Sequence, residues 1–142
     1  MRRSIARALV IALLSAAGCS AGPTFAPVTG TLSVGGKPLE NVQVEFWPRV
    51  SGPRSIGVTD KDGRFTLTSD SGRDPGAVVG PHKVVLVDLV PYANVPVNMP
   101  REVEKVNLAS VRFGRQFADP NRTPLQKEVA AGKNTIDLVA GP

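Results

Sequence analysis

The chain of 142 residues contains one Cys, one His, one Trp and one Tyr, and aromatic residues make up only 5% of it. A single Cys allows no disulfide framework, and one Cys with one His cannot assemble a zinc site of several Cys and His ligands. No apolar run reaches the roughly 20 residues that a spanning helix needs, the longest being Ala8–Ala17. Positive charge is also scarcer than the formal +5 suggests, because Arg2, Arg3 and Arg7 crowd the first seven positions. The remaining basic residues barely exceed the 12 acidic ones, which is no nucleic-acid footprint, and no nucleic-acid partner is expected. What the chain does have is turn chemistry, with Gly 14 and Pro 13 set between apolar runs, in a length suited to one domain.

The N-terminus carries an address. A basic head, a short apolar core and the small residues Ala16, Ala17 and Gly18 form a secretory signal over residues 1–18. Ala16-Ala17-Gly18-Cys19 resembles a bacterial lipobox, although Ala16 stands where such motifs usually have Leu. That resemblance implies acylation of Cys19 and anchoring in the membrane of the cell envelope, and it explains an unpaired Cys in an exported protein. Ser20 follows the Cys in place of the Asp that commonly retains lipoproteins in the inner membrane, so the outer membrane is favoured. Residues 19–27, with Pro23 and Pro27, read as the lipidated Cys and a tether.

From residue 28 to 140 the pattern is that of strands. Val28, Gly30, Leu32 and Val34 alternate with Thr29, Thr31 and Ser33, and Gly35–Pro38 supplies a turn. Val42, Val44 and Phe46 then define one face, with Gln43, Glu45 and Trp47 on the other. Ile56 and Val58 open a third strand, Asp60–Gly63 makes a short hairpin loop, and Phe65 and Leu67 follow. After a loop at 69–81, Val84–Leu89 reads as a central strand, and Leu125–Val129 and Ile136–Leu138 mark the last two. About seven strands without a long helix predict an all-β, Greek-key β-sandwich. One long insert, residues 90–116, precedes the last strands, and within it Arg101–Leu108 is expected to form one or two helical turns.

Val28–Leu32, Gly36–Val44, Gly57–Leu67, Gly80–Val84, Phe117–Asp119 with Thr123–Leu125, and Glu128–Asn134 follow one another in an order that resembles the carboxypeptidase regulatory-like domains. Those are transthyretin-like (prealbumin-like) β-sandwiches. With the lipobox, the chain is similar to a family of small exported bacterial lipoproteins carrying that single domain. The resemblance implies a fold and an accessory or binding role, and it brings no catalytic residues.

His82 reads as a β-edge or turn residue, with no Cys nucleophile to serve once Cys19 is acylated. Transthyretin-like hydrolases of purine degradation use several His and a C-terminal Tyr-Arg-Gly-Ser, whereas this chain ends Val139-Ala140-Gly141-Pro142. Iron dioxygenases on related sandwiches need two Tyr and two His, and only Tyr92 and His82 are available. Asp60, Asp62 and Gly63 resemble the start of a calcium loop but lack the third acid and the distal Glu, so a structural turn is expected and no metal. An isopeptide crosslink would need a strand Lys facing Asn134, and Val28–Val34 contains none. No cofactor is expected.

Trp47 either covers a rim of the sandwich or serves as a ligand platform. Arg101, Lys105 and Arg112 fall in one stretch and, with Trp47, form a candidate recognition surface, although interrupting acids equally suit a solvated face. The expected function is a non-catalytic, lipid-anchored envelope module that binds a protein or glycan or plays a structural role. The alternative is a small-ligand carrier with a pocket between the sandwich and the 90–116 insert.

Overall fold

Alternating side chains drive the architecture. The computed structural model describes residues 22–93 and 110–142. The signal segment, Cys19, Arg101, Lys105 and the expected helical turns at Arg101–Leu108 lie outside the described residues. The strands are β1 (Phe25–Ala26), β2 (Val28–Val34), β3 (Lys37–Pro38), β4 (Val42–Pro48), β5 (Ser55–Val58) and β6 (Arg64–Thr66). They continue as β7 (Thr68–Ser69), β8 (Ala77–Val78), β9 (Gly80–Asp88), β10 (Gln126–Val129), β11 (Asn134–Thr135) and β12 (Leu138–Ala140). Several are halves of one strand, interrupted at Pro27, Leu67, Val79 or Ile136–Asp137, and joining them restores the expected seven, with β3 as a two-residue extra.

One sheet runs β10-β9-β4-β5-β7, all antiparallel. The other centres on β2, with β11 and β12 parallel to it on one side and β3 and β6 antiparallel on the other. The chain crosses between the sheets at buried Leu67, whose N–H donates to the Val28 carbonyl across a 3.0 Å bond. The result is an all-β sandwich. Val42, Val44 and Phe46 from β4 meet Val28 and Leu32 from β2, Phe65, Leu67, and Val84 and Leu86 from β9 in one core. The Phe46 and Phe65 rings pack at 6.4 Å.

Three expectations change. Part of the stretch read as tether is structured: Phe25–Ala26 pairs with Ala77–Val78, inside the loop expected at 69–81, and Ala26 is buried. In β5 the apolar residues face outward, Val58 being half exposed, while Ser55 and Gly57 face the core. A Cβ at Gly57 would lie 2.5 Å from the Thr66 carbonyl oxygen, so the strands approach too closely there for any larger residue. His82 is neither edge nor turn. It lies within β9, between β10 and β4, fully buried with its ring 5.6 Å from that of Phe46.

The Asp60–Gly63 segment is a turn, as expected. Asp60 Oδ1 accepts from the Asp62 and Arg64 backbone N–H groups, each at 2.9 Å, and these bonds hold its carboxyl below the usual range. Gly63 takes φ 72°, and a Cβ there would stand 2.5 Å from the Leu32 carbonyl oxygen.

Candidate functional site

The β4–β9 ladder carries polar chemistry at both ends. At one end Val42 pairs with Asp88; five residues on, Trp47 pairs with Lys83, about 17 Å away.

At the Asp88 end a carboxylate with no exposed side-chain surface meets Arg112, whose side chain is 28% exposed. Arg112 donates through Nε at 2.9 Å to Oδ2 and Nη2 at 2.6 Å to Oδ1, its backbone N–H adds a bond at 3.0 Å, and Nη2 also reaches the Glu40 carbonyl at 2.8 Å. Burial pushes the Asp88 carboxyl up, but the bonds from Arg112 and the Val90 N–H outweigh it and hold it below its ordinary value. Arg112 is therefore committed to the fold and does not belong to a recognition surface with Trp47. From there the chain packs inward through Phe113 and Phe117, both buried and in edge-to-face contact at 6.3 Å. This part of the insert is a strap that completes the core. Beside it lies a cavity of about 180 Å³, mainly apolar, bounded by Leu86, Tyr92, Val111 and Phe113. It sits where the carrier reading places a pocket, but it is smaller than the roughly 300 Å³ at which small-molecule sites begin.

At the Trp47 end the outer face of β4 carries a network built on strand parity, since Gln43, Glu45 and Trp47 share one side. Glu45 is buried, and its carboxylate accepts from Gln43 Nε2 at 2.6 Å, Trp47 Nε1 at 2.8 Å and Arg54 Nη1 at 3.0 Å. Arg54 Nε in turn donates to Asp70 Oδ2 at 3.1 Å, and its guanidinium lies 5.3 Å from the centre of the Trp47 ring. The indole is thus held at its N–H and covered from the β5 side. On the β9 side it opens on a groove of about 540 Å³ lined by Trp47, Pro48, Arg49, Lys83, Pro120 and Asn121. Trp47 is both a rim cover and a fixed wall of a groove. Sequence reasoning found Trp47 and missed Arg49, Lys83 and Asn121. The period-two signal that sets Trp47 opposite the core also marks Lys83, because β9 begins at Gly80 and Lys83 alternates with buried His82 and Val84.

His82 and Tyr92 do not converge. His82 pairs with Pro48 at one end of β9, and Tyr92 follows the other end in a 3₁₀ turn, Val90–Tyr92. His82 Nδ1 lies 2.9 Å from the Gly80 carbonyl, an acceptor, so Nδ1 carries the proton and Nε2 is a bare acceptor without a partner among the described residues. Burial is the main reason the ring's pKa falls below its ordinary value. Among the described residues no three His, Cys, Asp or Glu side chains cluster closely enough to hold a metal ion.

No family model and no curated protein matches the chain. Two solved structures resemble it in backbone arrangement. One is a DUF3823 family protein from Parabacteroides merdae ATCC 43184, at 11% identity and TM-score 0.44 over 82% of this chain, which spans 46% of that protein. The other is the dioxygenase domain of a dioxygenase carbohydrate-binding protein fusion from Streptomyces sp. SirexAA-E, at 21% identity and TM-score 0.36, covering 84% of this chain and 82% of that one. Neither likeness assigns a role to any residue here.

Proposed function

We propose that this protein is a non-catalytic binding module of the bacterial cell envelope, anchored by acylation of Cys19, which takes a protein or glycan partner at the Trp47 groove. The observation that carries the binding role is the indole fixed by Glu45 and Arg54 against an open groove. An aromatic wall immobilised before the partner arrives costs little ordering entropy on binding. The carrier reading is weaker, because the cavity beside the insert is small and its polar residue, Asp88, is spent on Arg112. The anchor rests on the lone Cys behind small residues, and the outer membrane on Ser20.

Two measurements test this. Labelled palmitate should enter the wild type and not Cys19→Ser, and equal label in both removes the anchor. A photo-crosslinking residue at Asn121 should capture an envelope component that the same residue at Val139, exposed on the opposite sheet, does not. Equal capture from both positions, or none, removes the groove as the binding site.

A further inference from the structure

We propose that the Trp47 groove recognises a carboxylate-bearing sugar, a uronate residue of an acidic glycan; this inference rests on the binding role just proposed and names its ligand class. On the outer face Trp47 pairs across the sheet with Lys83, which pairs with Gln126, and Arg54, the residue before β5, lies over the indole. Arg54 is neutralised by Glu45 and Asp70. The Lys83 side chain makes no ion pair or hydrogen bond among the described residues, and the Arg49 guanidinium reaches only the neutral Gln126 Oε1, at 3.3 Å. The groove lining includes no carboxylate; Glu128 lies on the same outer face opposite Pro81 and Asp119 accepts the Asn121 backbone N–H at 2.7 Å, and neither forms an ion pair with Lys83 or Arg49. Two cations without acidic partners therefore face one recess, which complements an anion.

Charge alone does not choose the anion; the rest of the wall does. A bare phosphate leaves the indole unused, whereas a pyranose offers an apolar C–H face to the ring and hydroxyls to the Asn121 amide. An extended acidic peptide is read through main-chain bonds, but Pro48 and Pro120 carry no N–H to donate. Trp side chains that meet a bilayer project from the protein, whereas Trp47 is held by its N–H bond to Glu45 and by the Arg54 guanidinium over its ring. The groove, about 540 Å³ and open to solvent, has room for a sugar ring laid along the indole.

Trp47 is the only Trp, so its emission reports this ring alone. The full-length protein in detergent is titrated with tri-galacturonate, maltotriose, triglutamate and glycerol 3-phosphate, the soluble part of an anionic lipid headgroup. Tri-galacturonate should give a saturable emission change, and maltotriose should bind at least about tenfold more weakly, the equivalent of about 1.4 kcal/mol. Lys83→Gln and Arg49→Gln should each weaken the acidic sugar several-fold at unchanged circular dichroism, and added salt should do the same. Equal response to both sugars overturns the charge selection and leaves a neutral-glycan platform. An equal or stronger response to triglutamate or glycerol 3-phosphate overturns the sugar reading in favour of that anion. Silence towards all four overturns this inference, whereas the binding role itself falls only if the Asn121 crosslink also fails.

Discussion

The two ends of the β4–β9 ladder use the same ingredients, a buried carboxylate, an Arg and neighbouring aromatic rings, to opposite effect. At the Asp88 end the carboxylate has no exposed side-chain surface, Arg112 is tied to it and to the Glu40 carbonyl, and the chain beyond runs into the core through Phe113 and Phe117. At the Trp47 end only the sheet backs the Glu45 network, and Lys83, opposite Trp47, forms no ion pair among the described residues. A buried pair between two layers becomes a rivet. The same pair with one layer behind it becomes a mount that orients an aromatic ring. The cost of a pair follows from its burial, because removing one partner of a desolvated pair strands the other.

The largest expected effect lies beneath both ends, in the core they share. Phe46→Ala removes a fully buried ring that touches Phe65 and His82, and should cost about 3–5 kcal/mol in urea denaturation. Less than 1 kcal/mol would mean that the register on which the comparison rests is wrong. Next comes Arg112→Ala, expected to cost about 3 kcal/mol because it leaves Asp88 buried and unpaired. The pH dependence sharpens this. In the wild type the Asp88 carboxyl is held below its unfolded value of about 3.9, so its stabilisation is present above that pH and is lost on acidification. In Arg112→Ala the guanidinium is lost while burial and the backbone N–H bonds from residues 112 and 90 remain, so the carboxyl rises from its wild-type position and acid should narrow the gap between variant and wild type. A gap that widens with acid would break the rivet reading.

Local periodicity was the legible part, and it carried the core: the faces of Val28–Val34 and Val42–Trp47 are those expected. It failed where strands are too short to show a period, as in Phe25–Ala26 and Ala77–Val78, and where Gly57 inverts the usual sense of an apolar alternation. His82 was misread because Gly80-Pro81 looks like a turn, whereas Gly80 takes φ 126° and starts the strand. The candidate site was half legible. Gln43, Glu45 and Trp47 share a face by parity alone, but Arg54 joins them only through pairing of β4 with β5. Grouping Arg112 with Arg101 and Lys105 followed proximity in sequence, and its true partner, Asp88, stands 24 positions away.

A smaller acid effect should come from His82, which belongs to the core under the Trp47 end. Burial is the first cause of its lowered pKa, opposed in part by the Gly80 carbonyl and Glu128. The unfolded chain therefore binds a proton more readily than the fold does. The stability of neutral His82 is complete above its unfolded value of about 6.5 and declines as pH falls below it. Comparing urea midpoints at pH 7.5 and 5.5, the wild type should lose stability and His82→Leu should lose less. Parallel losses would place a proton or an unseen partner on Nε2, and the core at this end would be less dry than the one under the strap.

The smallest expected effect is the one that separates the two ends most cleanly. Lys83 stands on the outer face opposite Trp47 and Gln126, half-buried, and forms no ion pair among the described residues. Replacing it with Gln keeps most of the stem and removes a charge that stabilises no partner. Surface changes of this kind fall within about 0.5 kcal/mol. The sign should favour the variant at low salt, since the charge is near Arg49, and the difference should vanish in high salt as screening shortens its range. Arg112→Gln, a change of the same type at the other end, should instead cost several times as much, because it withdraws the bidentate bonds that Asp88 depends on. Urea midpoints for both variants at two salt concentrations decide the matter. Equal costs would mean that Lys83 is a structural partner like Arg112, and the groove would then have no free charge with which to select an anion.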